Sequence, residues 1–403
     1  MKHFIPLFIL FIFLLSCSSD SNIESNVHKD SNDKRNKLYE SELFSLDLTF
    51  GSEQYGTKDE YLLVSPYEFV ANCKDEIIVP DEGKIKVFNK FGKGIKIIGR
   101  QGQGPGEFEG SPRPFLSPNG YLLVLSSESN NRYYNLFTPD YDFIEKKSFL
   151  NSLLLQEHLK MKGFDINDVK NIFKAYPLSI TEKIYTLRLL GEYEMFLLLI
   201  YESADNLVCL LHVTHPRIII TSKKGVLSSQ YLGDFLWGVL PGRRIYYVNT
   251  DEDKNDGQSG SYYTIHIRSI DTNEDIIITH KFTPFPVPED FGTSKEAGLQ
   301  EFYSIVKERK YFPSVFTLTN DRNYIFVYTT FEYEKYKETE NSKKEQNVHA
   351  DVFDADEGEF IGIFNLRSGF GTIQNGYGYT QLQDDEGFAV IARCKIHPSV
   401  YGK

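Results

Sequence analysis

Between about residue 60 and the C-terminus the chain alternates short apolar runs with clusters of turn residues, in many places about every eight to twelve positions. The runs are rich in Ile, Val, Leu, Tyr and Phe, which suit a pleated, half-buried surface and predict strands. Two hairpin forms recur. In the first, Phe69-Val70 turns through Asn72-Cys73-Lys74-Asp75 into Ile77-Ile78-Val79, Phe115-Leu116 turns through Pro118-Asn119-Gly120 into Tyr121 to Val124, and Val315 to Leu318 turns at Asn320 to Asn323 into Tyr324 to Val327. In the second, an apolar-Phe step precedes the turn, as at Val87-Phe88, Leu136-Phe137 and Val352-Phe353. The first form is followed each time by the second, so each unit holds four antiparallel strands. One such sheet leaves apolar side chains wet, whereas sheets stacked face to face around an axis bury them. The predicted fold is an all-β propeller of four-stranded antiparallel blades.

The stretch Ile85 to Lys93, followed by Ile97-Ile98-Gly99-Arg100-Gln101-Gly102-Gln103-Gly104-Pro105-Gly106-Glu107-Phe108, resembles the repeat of NHL-type and TolB-type six-bladed β-propellers, especially the lipid-anchored ones of Bacteroidetes-like bacteria. Gly376 to Tyr379 and Asp384 to Ile391 resemble their last blade. The resemblance implies six blades. Counted outward from these two anchors, they fall near Tyr61 to Gly99, Pro112 to Phe149, Tyr176 to Ser222, Tyr231 to Phe282, Tyr311 to Leu366 and Gly371 to His397. The sixth is one strand short, and Leu43 to Phe50 can supply it, joining the chain ends and removing a sheet edge.

Two segments read as helical insertions. Leu150 to Lys174 places Leu154, Leu155, Leu159, Met161, Ile166, Val169, Ile172 and Phe173 at near-helical spacing, with Asp165 or Asn167 as caps, and Pro288 to Lys310 does so through Phe302, Ile305 and Val306. Packing against the side of the propeller is the expected role of both.

The N-terminus has a different pattern. Lys2 and His3 precede an apolar run from Phe4 to Leu15, broken by Pro6 and followed by Ser16-Cys17. The run is too short to span a bilayer comfortably and reads as the core of an export signal. Leu14-Leu15-Ser16-Cys17 resembles the lipobox of bacterial lipoproteins, which implies cleavage before Cys17, lipidation of its thiol, and a partner in the membrane. Ser18, in place of aspartate, resembles the signal for outer-membrane delivery, with periplasmic or surface orientation open. Residues 18–37 are mostly Ser, Asn, Asp and Lys and are expected to form a flexible tether, leaving 38–403 as one propeller domain.

Charge and motifs narrow the function by subtraction. With 44 basic and 56 acidic side chains the chain carries a net charge of −12 and no basic cluster interleaved with aromatics, so nucleic acid is not an expected partner. Cys73, Cys209 and Cys394 remain after Cys17, an odd number without C-x-x-C spacing, and are expected to be buried structural thiols rather than a disulfide framework or zinc site. Gly102, Gly104 and Gly106 lack phosphate-loop spacing and predict a tight crossing between blades, on the same face as the turn Pro80 to Gly83. Asp251, Asp253, Asn255 and Asp256 fail the calcium-loop template, since Asp256 stands where glycine is needed and Tyr262 where glutamate is, and are expected to form a solvated acidic loop. His212 and His215, three apart in a strand, point to opposite faces. Arg243-Arg244 and Lys223-Lys224 read as solvated turns, and Trp237 as core. No catalytic residue, metal ligand or cofactor is assigned. The expected function is a lipid-anchored envelope module that binds or scaffolds a protein, peptide or glycan. The alternative is a calcium-dependent hydrolase or lyase acting at the propeller axis.

Overall fold

A computed structural model describes residues 43–126, 132–191, 194–222, 225–231, 235–254, 260–287, 289, 308, 310–329, 347–367 and 371–403. The described strands form six antiparallel sheets, and the fold is an all-β six-bladed propeller. Blade 1 comprises β2 (Val70–Ala71), β3 (Ile77–Asp81), β4 (Lys84–Phe88) and β5 (Gly94–Ile98). Blade 2 comprises β6 (Pro112–Leu116), β7 (Leu122–Ser126), β8 (Tyr133–Phe137) and β9 (Phe143–Ser148). Blade 3 holds β10 (Val169–Pro177), β11 (Lys183–Leu190), β12 (Glu194–Glu202), β13 (Leu207–Ser222) and a fifth strand, β14 (Gly225–Tyr231). Blade 4 follows as β15 (Phe235–Leu240), β16 (Arg244–Asn249), β17 (Tyr262–Ser269) and β18 (Asp275–Lys281), and blade 5 as β19 (Val315–Asp321), β20 (Tyr324–Thr329), β21 (Asn347–Asp354) and β22 (Glu359–Arg367). Blade 6 takes β23 (Thr372–Gln374), β24 (Tyr377–Gln383) and β25 (Ala389–Ile396) from the C-terminus and β1 (Phe44–Phe50) from the start of the domain. The expected closure is present: Phe44 pairs with Ile396 and Phe50 with Ile391, antiparallel.

Each seam between neighbouring blades has its own apolar core. Ile78, Val87, Val124 and Phe137 fill the seam of blades 1 and 2; Tyr185, Leu187 and Leu198 pack with Leu123 and Leu136 in the next; Phe50, Phe88, Tyr379 and Ile391 close the ring between blades 6 and 1. At about 1.5–3 kcal/mol for each fully buried large aliphatic or aromatic side chain, these six cores are the main force holding the ring.

Polar contacts between turns then close one face. Turns that join the first and second strands, together with those joining the third and fourth, meet their neighbours all the way round. Asn72 donates to the Tyr141 hydroxyl at 2.7 Å (blades 1 and 2), and Asn119 to the Leu178 carbonyl at 2.8 Å (2 and 3). Arg243 makes a two-pronged bond to Glu182 at 3.0 Å (3 and 4), and Arg244 reaches Asp356 at 2.7 Å (4 and 5). Asp321 accepts the backbone N–H groups of Asn375 and Gly376 at 2.7 Å (5 and 6), and Asn375 returns to Asp75 at 2.6 Å (6 and 1). The turns place Asp75, Arg243, Arg322 and Asn375 at φ between 54° and 59°, a left-handed conformation that the clamps hold in place.

The first helical insertion is shorter than its apolar spacing implies. One α-helix, α1 (Leu153–Met161), is present, capped by the Ser152 hydroxyl, which accepts from the Leu155 N–H at 3.2 Å. Its Leu155 and Leu159 are buried against blades 2 and 3, so it packs on the propeller side as expected. Asp165 caps a short 3-10 turn, but Val169, Ile172 and Phe173 belong to β10. Irregularities between Val169 and Asn171 and between Ile172 and Lys174 each insert a residue. Val169, Ile172 and Ala175 therefore all reach one core at intervals of three, which imitates a helix. Blade 3 consequently begins at Val169 rather than Tyr176, and Tyr231 ends a fifth strand instead of opening blade 4. Of the second insertion, nearly all lies outside the described residues. Among the described residues no helix is long and apolar enough to cross a membrane.

Candidate functional site

The inner strands of all six blades surround an axial cavity of about 480 Å³ at the end of the channel bounded by the clamped turns. Inner strands run from the opposite, loop-bearing face toward this one, so their last residues and first turns form its wall. Two kinds of wall result. Phe115 of blade 2, Tyr176 of blade 3 and Val239 of blade 4 present aromatic and aliphatic surface. The rings of Phe115 and Tyr176 meet edge to face at 5.6 Å, and Tyr176 meets Trp237 in the same way at 5.5 Å, so an aromatic ladder crosses three blades. Facing it, Thr319 of blade 5 and Thr372 and Gln374 of blade 6 present hydroxyl and amide groups.

Of the two charged residues that line the cavity, Glu68 is paired and Arg322 is exposed at the rim. Glu68 accepts from Arg113 Nε at 2.6 Å, and the guanidinium lies 5.8 Å from the Phe115 ring centre. Lys174 donates its ammonium to the Trp237 carbonyl and sits 5.3 Å from the Tyr176 ring centre. A cation followed two residues later by an aromatic thus repeats in β6 and β10. Among the described residues lining the cavity the one carboxylate is Glu68, and no three of His, Cys, Asp and Glu in the described residues come together as a metal-holding group.

A larger cleft of about 810 Å³ lies between blades 2 and 3. Its floor is committed to itself. Tyr185 donates to Glu202 at 2.6 Å, Tyr134 to Glu145 at 3.0 Å, and Lys183 stands 3.4 Å from Glu202. Burial first, and then the neighbouring carboxylates, push both tyrosine hydroxyls well above their ordinary range, so they act as fixed donors.

Other residues singled out from the sequence find mostly structural places. The glycine-rich crossing is a closed turn in which Glu107 accepts from Gly104 N–H at 2.8 Å and from Arg100 at 2.7 Å, which lowers its pKa, the backbone bond weighing more than the guanidinium. A Cβ on Gly99 would stand 2.6 Å from the Gly106 carbonyl oxygen, so the glycine there is required by close approach. Gly83 faces Gln101, placing the Pro80 to Gly83 turn beside this crossing as expected. The acidic loop is not simply solvated. Asp251 bonds the buried His215 at 2.6 Å, and Asp253 accepts from the Ser314 N–H and hydroxyl at 3.2 and 2.6 Å, with burial pushing its pKa up to about 6. Asn255 and Asp256 lie outside the described residues, as do Lys223 and Lys224. His212 meets the Phe196 ring at a tilt, centroids 5.7 Å apart, on one face of the blade while His215 lies on the other, so the two are apart. Arg243 and Arg244 are clamps between blades rather than solvated turns. Trp237 is core, 2% exposed. Of the thiols, none in a disulfide, Cys394 is buried and Cys209 half-buried, but Cys73 is exposed at the cavity wall, because its turn faces the axis instead of a seam. Cys17 lies outside the described residues. No local sequence signal marks Thr319, Thr372, Gln374 and Tyr176 as site residues, since they come from three different inner strands and meet only through the closure of the ring.

Residues 18–152, about a third of the chain, match the profile of the DUF5128 family, described as a 6-bladed beta-propeller. No curated protein matches the chain. Among solved structures, an exported protein of Bacteroides fragilis is similar at 12% identity and a TM-score of 0.46, over 93% of this chain and 98% of that one. An oligogalacturonate lyase in complex with manganese is similar at 9% identity and a TM-score of 0.37, over 82% and 89%. A TolB-type protein of Agrobacterium tumefaciens is similar at 10% identity and a TM-score of 0.32, over 84% and 91%.

Proposed function

We propose that this chain is a lipid-held binding module of the cell envelope that takes its ligand in the axial cavity. The observation that carries the reading is the composition of that cavity wall: the aromatic pair Phe115 and Tyr176 on one side, hydroxyl and amide groups with Arg322 at the rim on the other, and a carboxylate already held by arginine. A concave, partly apolar site with a few convergent polar groups suits recognition. Chemistry at an axial metal would call for several converging carboxylates, which the described wall does not supply, so the calcium-dependent hydrolase or lyase gains no support from it. The envelope placement and the lipid rest on the Leu14-Leu15-Ser16-Cys17 tetrad and the apolar run before it.

Two measurements test the halves of this reading. Cys17→Ser is expected to move the protein from the membrane fraction to the soluble fraction and abolish incorporation of labelled palmitate; membrane retention of the variant with label would refute the anchor. For the site, Gln374→Trp should fill the cavity and abolish capture of an envelope-derived ligand while leaving the thermal melt in place. Undiminished capture would place recognition elsewhere on the ring.

A further inference from the structure

The split of the axial wall constrains the chemistry of its ligand. Phe115, Tyr176 and Val239 form an apolar wall in which Tyr176 is half-buried and its two neighbours are buried, and Tyr176 is braced edge to face by the rings of Phe115 and Trp237. The opposing Thr319, Thr372 and Gln374 carry groups that both donate and accept hydrogen bonds. Gln374 commits only its side-chain nitrogen, to Asn375 at 3.3 Å, among the described residues. Of the charges near the wall, Glu68 is held by Arg113 and the Lys174 ammonium by the Trp237 carbonyl, and the exposed Arg322 lines the rim. An ionic ligand would therefore give up its hydration inside the cavity with no buried counter-charge among the described wall residues, only the exposed, solvent-screened Arg322 at the rim.

From this we infer that the cavity takes a neutral saccharide, an inference that rests on the axial cavity being the binding site. A pyranose ring has an apolar C–H face and a rim of hydroxyls that both donate and accept, and the two walls match those two surfaces in kind. The C–H face lies against Tyr176, and the hydroxyl rim addresses Thr319, Thr372 and Gln374. The cavity, at about 480 Å³, lies in the usual size range for small-ligand sites.

The test is calorimetric titration of the mature lipidated chain in detergent with chitotetraose, cellotetraose and maltotetraose, beside tetragalacturonate and tetraglycine. At least one neutral tetrasaccharide is expected to bind. The double substitution Thr319→Val with Thr372→Val, which removes two hydroxyls and keeps the β-branched shape, should weaken it by about tenfold or more without moving the thermal melt. Failure of all three neutral sugars at millimolar concentration, or binding indifferent to the double substitution, overturns the inference. Binding of tetragalacturonate or tetraglycine that does respond to it would overturn the neutral saccharide but keep the cavity as the site. Binding indifferent to both the double substitution and Gln374→Trp would remove the cavity itself.

Discussion

Two buried aspartates on opposite faces of the ring show how differently those faces are held. On the clamped face Asp321 receives two consecutive backbone N–H groups, at Asn375 and Gly376, and the Tyr401 hydroxyl at 2.8 Å, all neutral donors arriving from the next blade and the C-terminal turn. On the loop-bearing face Asp81 also receives two consecutive N–H groups, at Val64 and Ser65, but its further partner is Lys86, 2.6 Å away and 1% exposed. Lys86 donates in addition to the Leu62 carbonyl. The first grip is one of six that share the load around a closed ring. The second holds a long loop, residues 51–69, on one blade, with Val64, Ser65 and Leu62 bonded to an ion pair buried within that blade. Where turns are short and meet their neighbours, many modest contacts fix the frame; where connections are long, a few buried charges anchor them.

Breaking the loop anchor should have the largest effect. Asp81→Ala leaves the buried Lys86 ammonium with only the half-exposed Glu82 carboxylate, 3.6 Å away, and strands the Val64 and Ser65 N–H groups, and should cost about 3 kcal/mol, read as a lowered denaturation midpoint in urea. A loss below about 1 kcal/mol would mean that the loop is not docked through this pair.

Asp253, on the same loop-bearing face, should act in the opposite direction. Its folded-state pKa, raised by burial to about 6, lies above the ordinary 3.8, so its stabilising contribution is complete below about 4 and is lost as pH rises through about 6. At neutral pH the buried carboxylate is a cost. Asp253→Asn, which can still accept from Ser314, should stabilise the chain at pH 7 by at most roughly 3 kcal/mol and show no advantage at pH 4. Thermal melts of both proteins across that interval check it, and a gap that does not narrow on acidification contradicts the assignment.

On the clamped face a single break should matter least, because five other seams remain. Arg243 also bonds Asp271 at 3.0 Å and lies over Tyr201, but its side chain is 36% exposed and solvent screens the pair. Arg243→Ala should therefore cost about 1–2 kcal/mol, with local amide exchange rising at the seam of blades 3 and 4 before any global unfolding. Collapse of the whole fold would show that the ring does not share its load.

The same contrast explains what was legible in the sequence. The hairpin strands, the four-stranded blade and the borrowed outer strand at Phe44–Phe50 could be read because each blade repeats one physical problem, the burial of two apolar sheet faces; the count of six came with the family resemblance. Blade 3 broke the pattern. Its bulges gave Val169, Ile172 and Ala175 a helical interval, and its extra strand β14 displaced the next boundary. Arg243-Arg244 looked like solvent-exposed turn residues because their partners, Glu182 and Asp356, are 61 and 112 positions away in sequence. The cavity was less legible still. Its wall takes a residue or two from each blade, and nothing local marks Thr319, Thr372 and Tyr176 as neighbours of one space.

Cys73, exposed at the cavity wall, gives the most direct test of the axial site. Alkylation of this thiol by iodoacetamide should slow by about tenfold when the chain is saturated with whichever neutral tetrasaccharide binds, while the half-buried Cys209 keeps its rate. Equal labelling of Cys73 with and without that bound sugar would mean that the ligand does not occupy the axis.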